Sequence, residues 1–396
     1  MKKKWLLGLA ALTVLFAAVG FVGCGGSEDG GDNAEPQAEM EYELSADGTY
    51  YILKGIGTYT GTDIVIPSEY QGKPVKEIAA HAFNGEQEIT SVVIGDKVEI
   101  IGENNFKTCV NMKSIVISAS VTEIGRYSLQ YNDYLTKIEV SDENTAFKDI
   151  DGNLYTKDGK TLIQYAIGKT ATEYVSPEGL ETIGEGAFKE CENLTSVEIN
   201  CKTIGESAFQ FCKKLESVTL NVTEMEYGVF FGCESLARVE FGKSVETIGE
   251  SIFHECDAIT DVYYNGTIED WCKITFNSSP KRSAANLYFY NSANSEYELL
   301  GDILIIPDTV TEIKANAFGD CKIRDIVIGE NVTSFGDWAF AYFDINNVYY
   351  TCEESEVNRE LDNRFYKAKR YYFSTEPIYD GEHWHYDENG LPTPWV

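Results

Sequence analysis

Nine times between Ile78 and Tyr350 the chain restarts one phrase: an apolar residue, usually followed by Gly, a Phe five residues on, often a Cys three further, then alternating apolar residues. The restarts fall at Ile78, Ile101, Ile124, Ile183, Ile204, Met225, Ile248, Ile313 and Phe335, and most neighbouring ones lie 21 to 23 residues apart. A unit that short cannot bury enough apolar surface to offset its backbone entropy, so it must stack on copies of itself. The spacing therefore predicts a solenoid.

One complete unit reads Ile183-Gly184, Ala187-Phe188, Cys191, Leu194, Val197, Ile199. In its last part Val197 and Ile199 alternate with Ser196 and Glu198, the period of a strand with one buried face, so each coil is expected to add one parallel strand. The Gly after the Ile is read as permitting a tight change of direction. The Ala-Phe pair drives a ring inward. Coil three carries Ser128-Leu129 at that pair and is expected to be a weaker one.

Alternation also names the outward rows, where a ligand would be met. One runs Ser91, Ser114, Lys137, Ser196, Ser217, Arg238, Asp261, Asp325, Asn347, and its neighbour Val93, Val116, Glu139, Glu198, Thr219, Glu240, Tyr263, Val327, Tyr349. Lys137, Glu198, Thr219, Arg238, Glu240, Asp261, Tyr263 and Tyr349 are the candidate ligand face, Arg and Tyr being residue types that often carry binding energy.

The ten cysteines raise the question of disulfides, but Cys109, Cys191, Cys212, Cys233, Cys256 and Cys321 share one repeat position. In a parallel ladder their Cβ vectors run side by side, so the row is read as packed thiols. The short Cys-Xaa-Xaa-Cys spacing of a zinc site is absent from the sequence, and no metal or other cofactor is expected. Catalysis has little support, since four histidines stand without a nucleophile elbow, phosphate loop or zinc-helix motif. His383, His385 and Asp387 as a metal hydrolase site is the weakest reading, aromatic packing around Trp384 being the stronger one. No residue is assigned as catalytic.

Two passages interrupt the repeat. At 141–180, Asp151-Gly152 and Asp158-Gly159 among apolar residues read as hairpin turns. At 265–301, Thr267 and Asp270 read as the cap of a short helix carrying Trp271 as an anchor. Ends of a solenoid need covering. Residues 41–77, with Tyr42, Leu44, Tyr51, Ile52 and Leu53 around Asp47-Gly48, read as an N-terminal capping hairpin, and 351–396, where the phrase stops, as an aromatic C-terminal cap. Trp384 and Trp395 of that tail are the alternative site, an aromatic platform for sugar rings.

At the start, Lys2, Lys3 and Lys4 precede an apolar run from Trp5 to Val22 that ends at Gly23-Cys24-Gly25-Gly26. Positive charge, apolar core and small residues at the cut, followed by a thiol open to acylation, make 1–23 a lipoprotein signal peptide and Cys24 the lipid attachment site. The alternative is an uncleaved membrane anchor, the run being at the short end for spanning. Residues 24–40 then form a polar tether without apolar periodicity.

The phrase Ile-Gly-Glu-Xaa-Ala-Phe-Xaa-Xaa-Cys-Xaa-Xaa-Leu-Xaa-Xaa-Val-Xaa-Ile resembles the BspA-like, or Treponema-type, leucine-rich repeats of bacterial surface proteins. The resemblance covers the chain from about Tyr42 onward and includes Asp151-Gly152-Asn153-Leu154-Tyr155 and Tyr264-Asn265-Gly266-Thr267 with Trp271. It implies a right-handed arc with a parallel sheet on its concave side and short turns and strands on its convex side, displayed on a cell for adhesion or binding. The expected partners are an extracellular protein, or a glycan as the alternative, with the membrane reached only through the lipid. Sixty-four carboxylates against 32 basic residues leave a net charge of −32 and disfavour nucleic acid. A monomer is expected.

Overall fold

A computed structural model describes residues 39–279, 285–340, 345–357, 362, 365 and 367–395; Cys24 and the leader lie outside them. The chain is a β-solenoid of about 13 turns with parallel sheets. The expected strands are present and in register: Val197 lies beside Val218, Val218 beside Val239, and Val239 beside Val262 in Ser196–Asn200, Ser217–Asn221, Arg238–Phe241 and Asp261–Tyr264. A second ladder runs beside the first, made of short strands. After the first phrase, the residue before the phrase and its opening apolar residue form a two-residue parallel strand, as in Thr182–Ile183, Thr203–Ile204, Glu224–Met225 and Thr247–Ile248. What sequence patterning reads as a turn is thus a rung too short to show alternation.

The Phe row is interior and stacked. Ring centroids are 4.5 Å apart for Phe188 and Phe209, 5.2 Å for Phe209 and Phe230 and 5.8 Å for Phe230 and Phe253. In coil three the row passes through buried Leu129, and Ser128 Oγ donates at 2.7 Å to the carbonyls of both Gly102 and Gly125. The ring stack is interrupted there.

The cysteine row is more than filler. Cys109, Cys212, Cys233 and Cys256 each point Sγ at the carbonyl of the Phe one coil back, at 3.0, 3.1, 3.2 and 2.9 Å. Asn132, standing in the slot in coil three, donates Nδ2 to Phe106 O at 3.0 Å. In these five coils the slot holds a donor to a carbonyl of the coil before, and the described cysteines are unbridged thiols. Burial drives the thiols of Cys212 and Cys233 well above their usual range. Cys212→Ala should destabilise by about 0.5 to 1.5 kcal/mol, because the Phe188 carbonyl loses the thiol and keeps only the Cys191 N–H at 2.9 Å, and Cys212→Ser should recover most of that by donating in its place; paired urea titrations check the order.

The glycines serve a different purpose from the one expected. A Cβ on Gly102, Gly125, Gly249 or Gly336 would come within 2.2 to 2.4 Å of backbone in the preceding coil, so Gly is needed for close approach. The sharp turning falls elsewhere, at left-handed residues two before the Phe and two after it. His81, Asn104, Tyr127 and Ser207 occupy the first position, Thr108, Tyr131, Glu190 and Phe211 the second, all with φ between 51° and 64°.

In the first interruption Phe147–Ile150, Asn153–Thr156 and Thr161–Gln164 form an antiparallel meander, turned by Asp151 and Gly152 at φ 51° and 70°. It divides the apolar interior into two bodies, one from Leu53 to Ala166 and one from Tyr155 onward. In the second, the helix Ile268–Lys273 carries the Thr267/Asp270 capping box, and Trp271 is fully buried with Nε1 on Ala317 O at 2.8 Å. Glu41–Leu44 and Tyr51–Gly55 pair antiparallel at the N-terminal end. At the other end the ladder outlasts the phrase: Lys369–Phe373 and His383–Tyr386 add parallel strands before Pro392–Pro394 turns back antiparallel. Proline cannot donate to a further strand, which blunts that edge.

Candidate outward-face site

The best-developed surface lies on the outward face of the ladder from Glu173–Val175 to Glu296–Leu299. Register places Glu198, Thr219, Glu240, Tyr263 and Tyr288 in one row, with Arg238, Asp261 and Asn286 in the row beside it. The Arg238 guanidinium lies 3.6 Å over the Tyr263 ring and bonds Glu240 at 2.9 Å. Tyr263 in turn stacks on Tyr288, centroids 4.5 Å apart and planes 9° from parallel. Tyr297 meets the Tyr263 ring edge-on at 5.1 Å and donates its hydroxyl to Glu240 at 3.0 Å.

Charge is held firmly here. Burial opposes the Arg238 charge, but Glu240 and Tyr263 outweigh it and keep the guanidinium above its ordinary range. Burial likewise pushes the Asp261 carboxyl up, yet bonds from Asn286, Thr260 and Tyr288 bring it below the usual carboxylate range. Burial and donation to Glu240 push the Tyr297 phenol up to about 12. Near neutral pH the face thus presents one cation, carboxylates and neutral phenols, pre-ordered by contacts that a partner need not form anew.

The eight sequence-derived face residues divide. Glu198, Thr219, Arg238, Glu240, Asp261 and Tyr263 come together. Lys137 stands apart, in the Lys137–Val140 strand of a separate four-stranded ladder, where it pairs with Glu139. Tyr349 is a correction: it is only 5% exposed, packed between Tyr371 at 4.8 Å and Trp384 at 5.4 Å, and Val327 of the same row is fully buried. Alternation gave the right face, but the last strands cover it. Trp384 is also corrected as a platform, because its ring is buried and its Nε1 donates to Tyr350 O at 2.9 Å. Trp395 is half-buried and stacked on His385 at 3.7 Å. Tyr288, Tyr290 and Tyr297 were missed because they belong to the second interruption; the alternation in Asn286–Asn291 was the signal that could have found them.

Among the described residues no group of three or more His, Cys, Asp or Glu side chains could hold a metal ion. His383 bonds Asp380 and His385 bonds the Tyr386 carbonyl, so the two imidazoles are engaged separately.

The sequence profile of the BspA type Leucine rich repeat region matches residues 60–157, 164–282 and 288–374. The chain belongs to the BspA-type leucine-rich repeat family. Solved structures similar to this BspA-type chain include a leucine-rich repeat protein from Eubacterium ventriosum, 20% identical over 76% of this chain and 92% of that one, TM-score 0.44. The pneumococcal vaccine antigen PcpA is 17% identical over 83% and 80%, TM-score 0.48. A leucine rich cell surface protein from Faecalibacterium prausnitzii is 18% identical over 80% and 94%, TM-score 0.35. No curated protein matches in sequence.

Proposed function

We propose that this BspA-type protein is a non-catalytic, lipid-anchored surface receptor or adhesin that binds an extracellular protein through the outward face around Arg238, Tyr263, Tyr288 and Tyr297. The observation that carries the reading is the ordered Arg238–Tyr263–Tyr288 stack. It is a preorganised aromatic and guanidinium patch outside the core, and such anchors dominate protein interfaces. A family used at bacterial surfaces and the Lys2 to Cys24 leader support exposure outside the cell. The carbohydrate alternative is weakened, since Trp384 has no free ring face.

Replacing Arg238 and Tyr263 together with Ala should weaken binding to the best protein partner on an extracellular-matrix array by at least about 2 kcal/mol. The melting curve should move little, because the phenol and guanidinium lie outside the buried interior; binding that persists in this variant sinks the reading. The anchor is tested separately: Cys24→Ser should abolish palmitate labelling and detergent partitioning, and retention of both would show that Cys24 is not acylated.

A further inference from the structure

Regular coils hand their backbone forward in a fixed pattern. The N–H groups of Gly186, Phe188 and Glu190 donate to Glu206, Ala208 and Gln210 O at 2.8 to 3.0 Å. Those of Ser207, Phe209 and Phe211 donate to Tyr227, Val229 and Phe231 O, and coil two repeats the pattern from Asn104, Phe106 and Thr108 to coil three. In coil three the equivalent donors are Tyr127, Leu129 and Tyr131, and among the described residues none of their N–H groups has an acceptor. The facing coil mirrors the vacancy. Of its receiving carbonyls, Glu185 O and Lys189 O have no donor among the described residues, and Ala187 O is taken by Tyr165 N–H and the Gln164 amide.

The cause is the first interruption. Thr161–Gln164 pairs with Thr182–Ile183 in the short-strand ladder, but of the arc that follows only Tyr165 keeps the pattern, with its N–H on Ala187 O at 3.0 Å and its ring stacked on Phe188 at 4.6 Å, before the chain reaches Glu173–Val175. An open cleft of about 200 Å³ remains, its apolar lining including Ile124, Leu129, Leu154 and Ile163. Across its mouth Arg126 and Tyr127 reach Glu185, and Gln130 Nε2 makes a long 3.5 Å contact with Gly186 O. Arg126 is 69% exposed, so parting that pair costs little.

We propose that this cleft is a peptide-binding slot that takes an extended segment of another protein, with one large apolar side chain, against the free donors of coil three. Donors at alternate residues suit the alternate carbonyls of an extended backbone, as in strand addition to a sheet edge. The apolar wall of buried Leu129 and Leu154 and half-buried Ile163 suits the apolar side chain. Amides without a protein acceptor gain from any backbone that bonds them, so the slot rewards an extended segment. The proposal is independent of the Arg238 face.

The test is amide exchange on the full chain, with the six-residue peptide corresponding to Glu206–Phe211 as probe. In the free protein the amides of Tyr127, Leu129 and Tyr131 should exchange about tenfold or more faster than those of Ser207, Phe209 and Phe211. Millimolar peptide should slow them about tenfold, a peptide carrying Phe209→Asp should not, and Ile163→Trp, at a half-buried lining position, should remove the effect without moving the melting curve. Slow exchange in the free protein, no slowing with peptide, or slowing that survives Ile163→Trp would each overturn the proposal.

Discussion

Phe209→Ala should destabilise the solenoid by about 3 to 5 kcal/mol. The ring is fully buried and sandwiched between Phe188 and Phe230. Truncation leaves a hole that the coils cannot close, because their spacing is held by backbone bonds on both sides, from Phe188 N–H to Ala208 O at 2.8 Å and from Phe209 N–H to Val229 O at 2.9 Å. The effect should therefore approach the upper end for buried aromatics, where collapse does not relieve the cavity. Stability in a stack is carried by neighbour contacts, so the loss should appear as uncoupling of the coils on either side of Phe209. A urea midpoint matching the parent's would place the Phe row outside the core and contradict the stacked ladder.

The repeat register was legible in the sequence because it is enforced by local chemistry repeated many times. Phe188, Phe209 and Phe230 recur at one offset because each needs the ring of the next, and Val197 alternates with Glu198 because strands bury one side. The Thr267/Asp270 capping box was legible for the same reason: both partners lie within one helical turn. What escaped depends on residues far apart in the chain. The role of Gly102 or Gly249 is set by backbone one coil earlier, so a glycine that looks like a turn former is a spacer. The short rungs ending at Ile183 and Ile204 are two residues long, too brief for any period. Tyr349 and Val327 occupy outward positions, yet whether outward means exposed was decided by strands more than twenty residues later.

The site divides along the same line. Arg238, Glu240, Asp261 and Tyr263 were found by alternation within regular coils. Tyr288 and Tyr297 complete the cluster from a passage whose lack of repeat made it look like scaffolding. Irregular passages break the pattern that hides function in a repeat protein, and in this chain both interruptions create surface features: an aromatic cluster at the second and a row of unpaired amides at the first.

Trp384→Ala should cost about 3 to 5 kcal/mol, comparable to the loss at Phe209 but confined to one end. The indole packs on Tyr349 and Phe373, both at 5.4 Å, and on Tyr386 at 4.7 Å. Its removal uncovers the apolar group of Val327, Tyr349 and Tyr371 and leaves the Tyr350 carbonyl without its indole donor. In a stack with nearest-neighbour energetics the terminal coils have fewer contacts to fall back on, so they should separate from the rest before it unfolds. The expected result is a new early transition in urea, with protease cuts appearing after Ile345, while the affinity of the Arg238 face is unchanged. Trp384→Ala that melts like the parent but no longer adheres to insoluble polysaccharide would mean the ring is on the surface, and the tail rather than the ladder face would be the binding site.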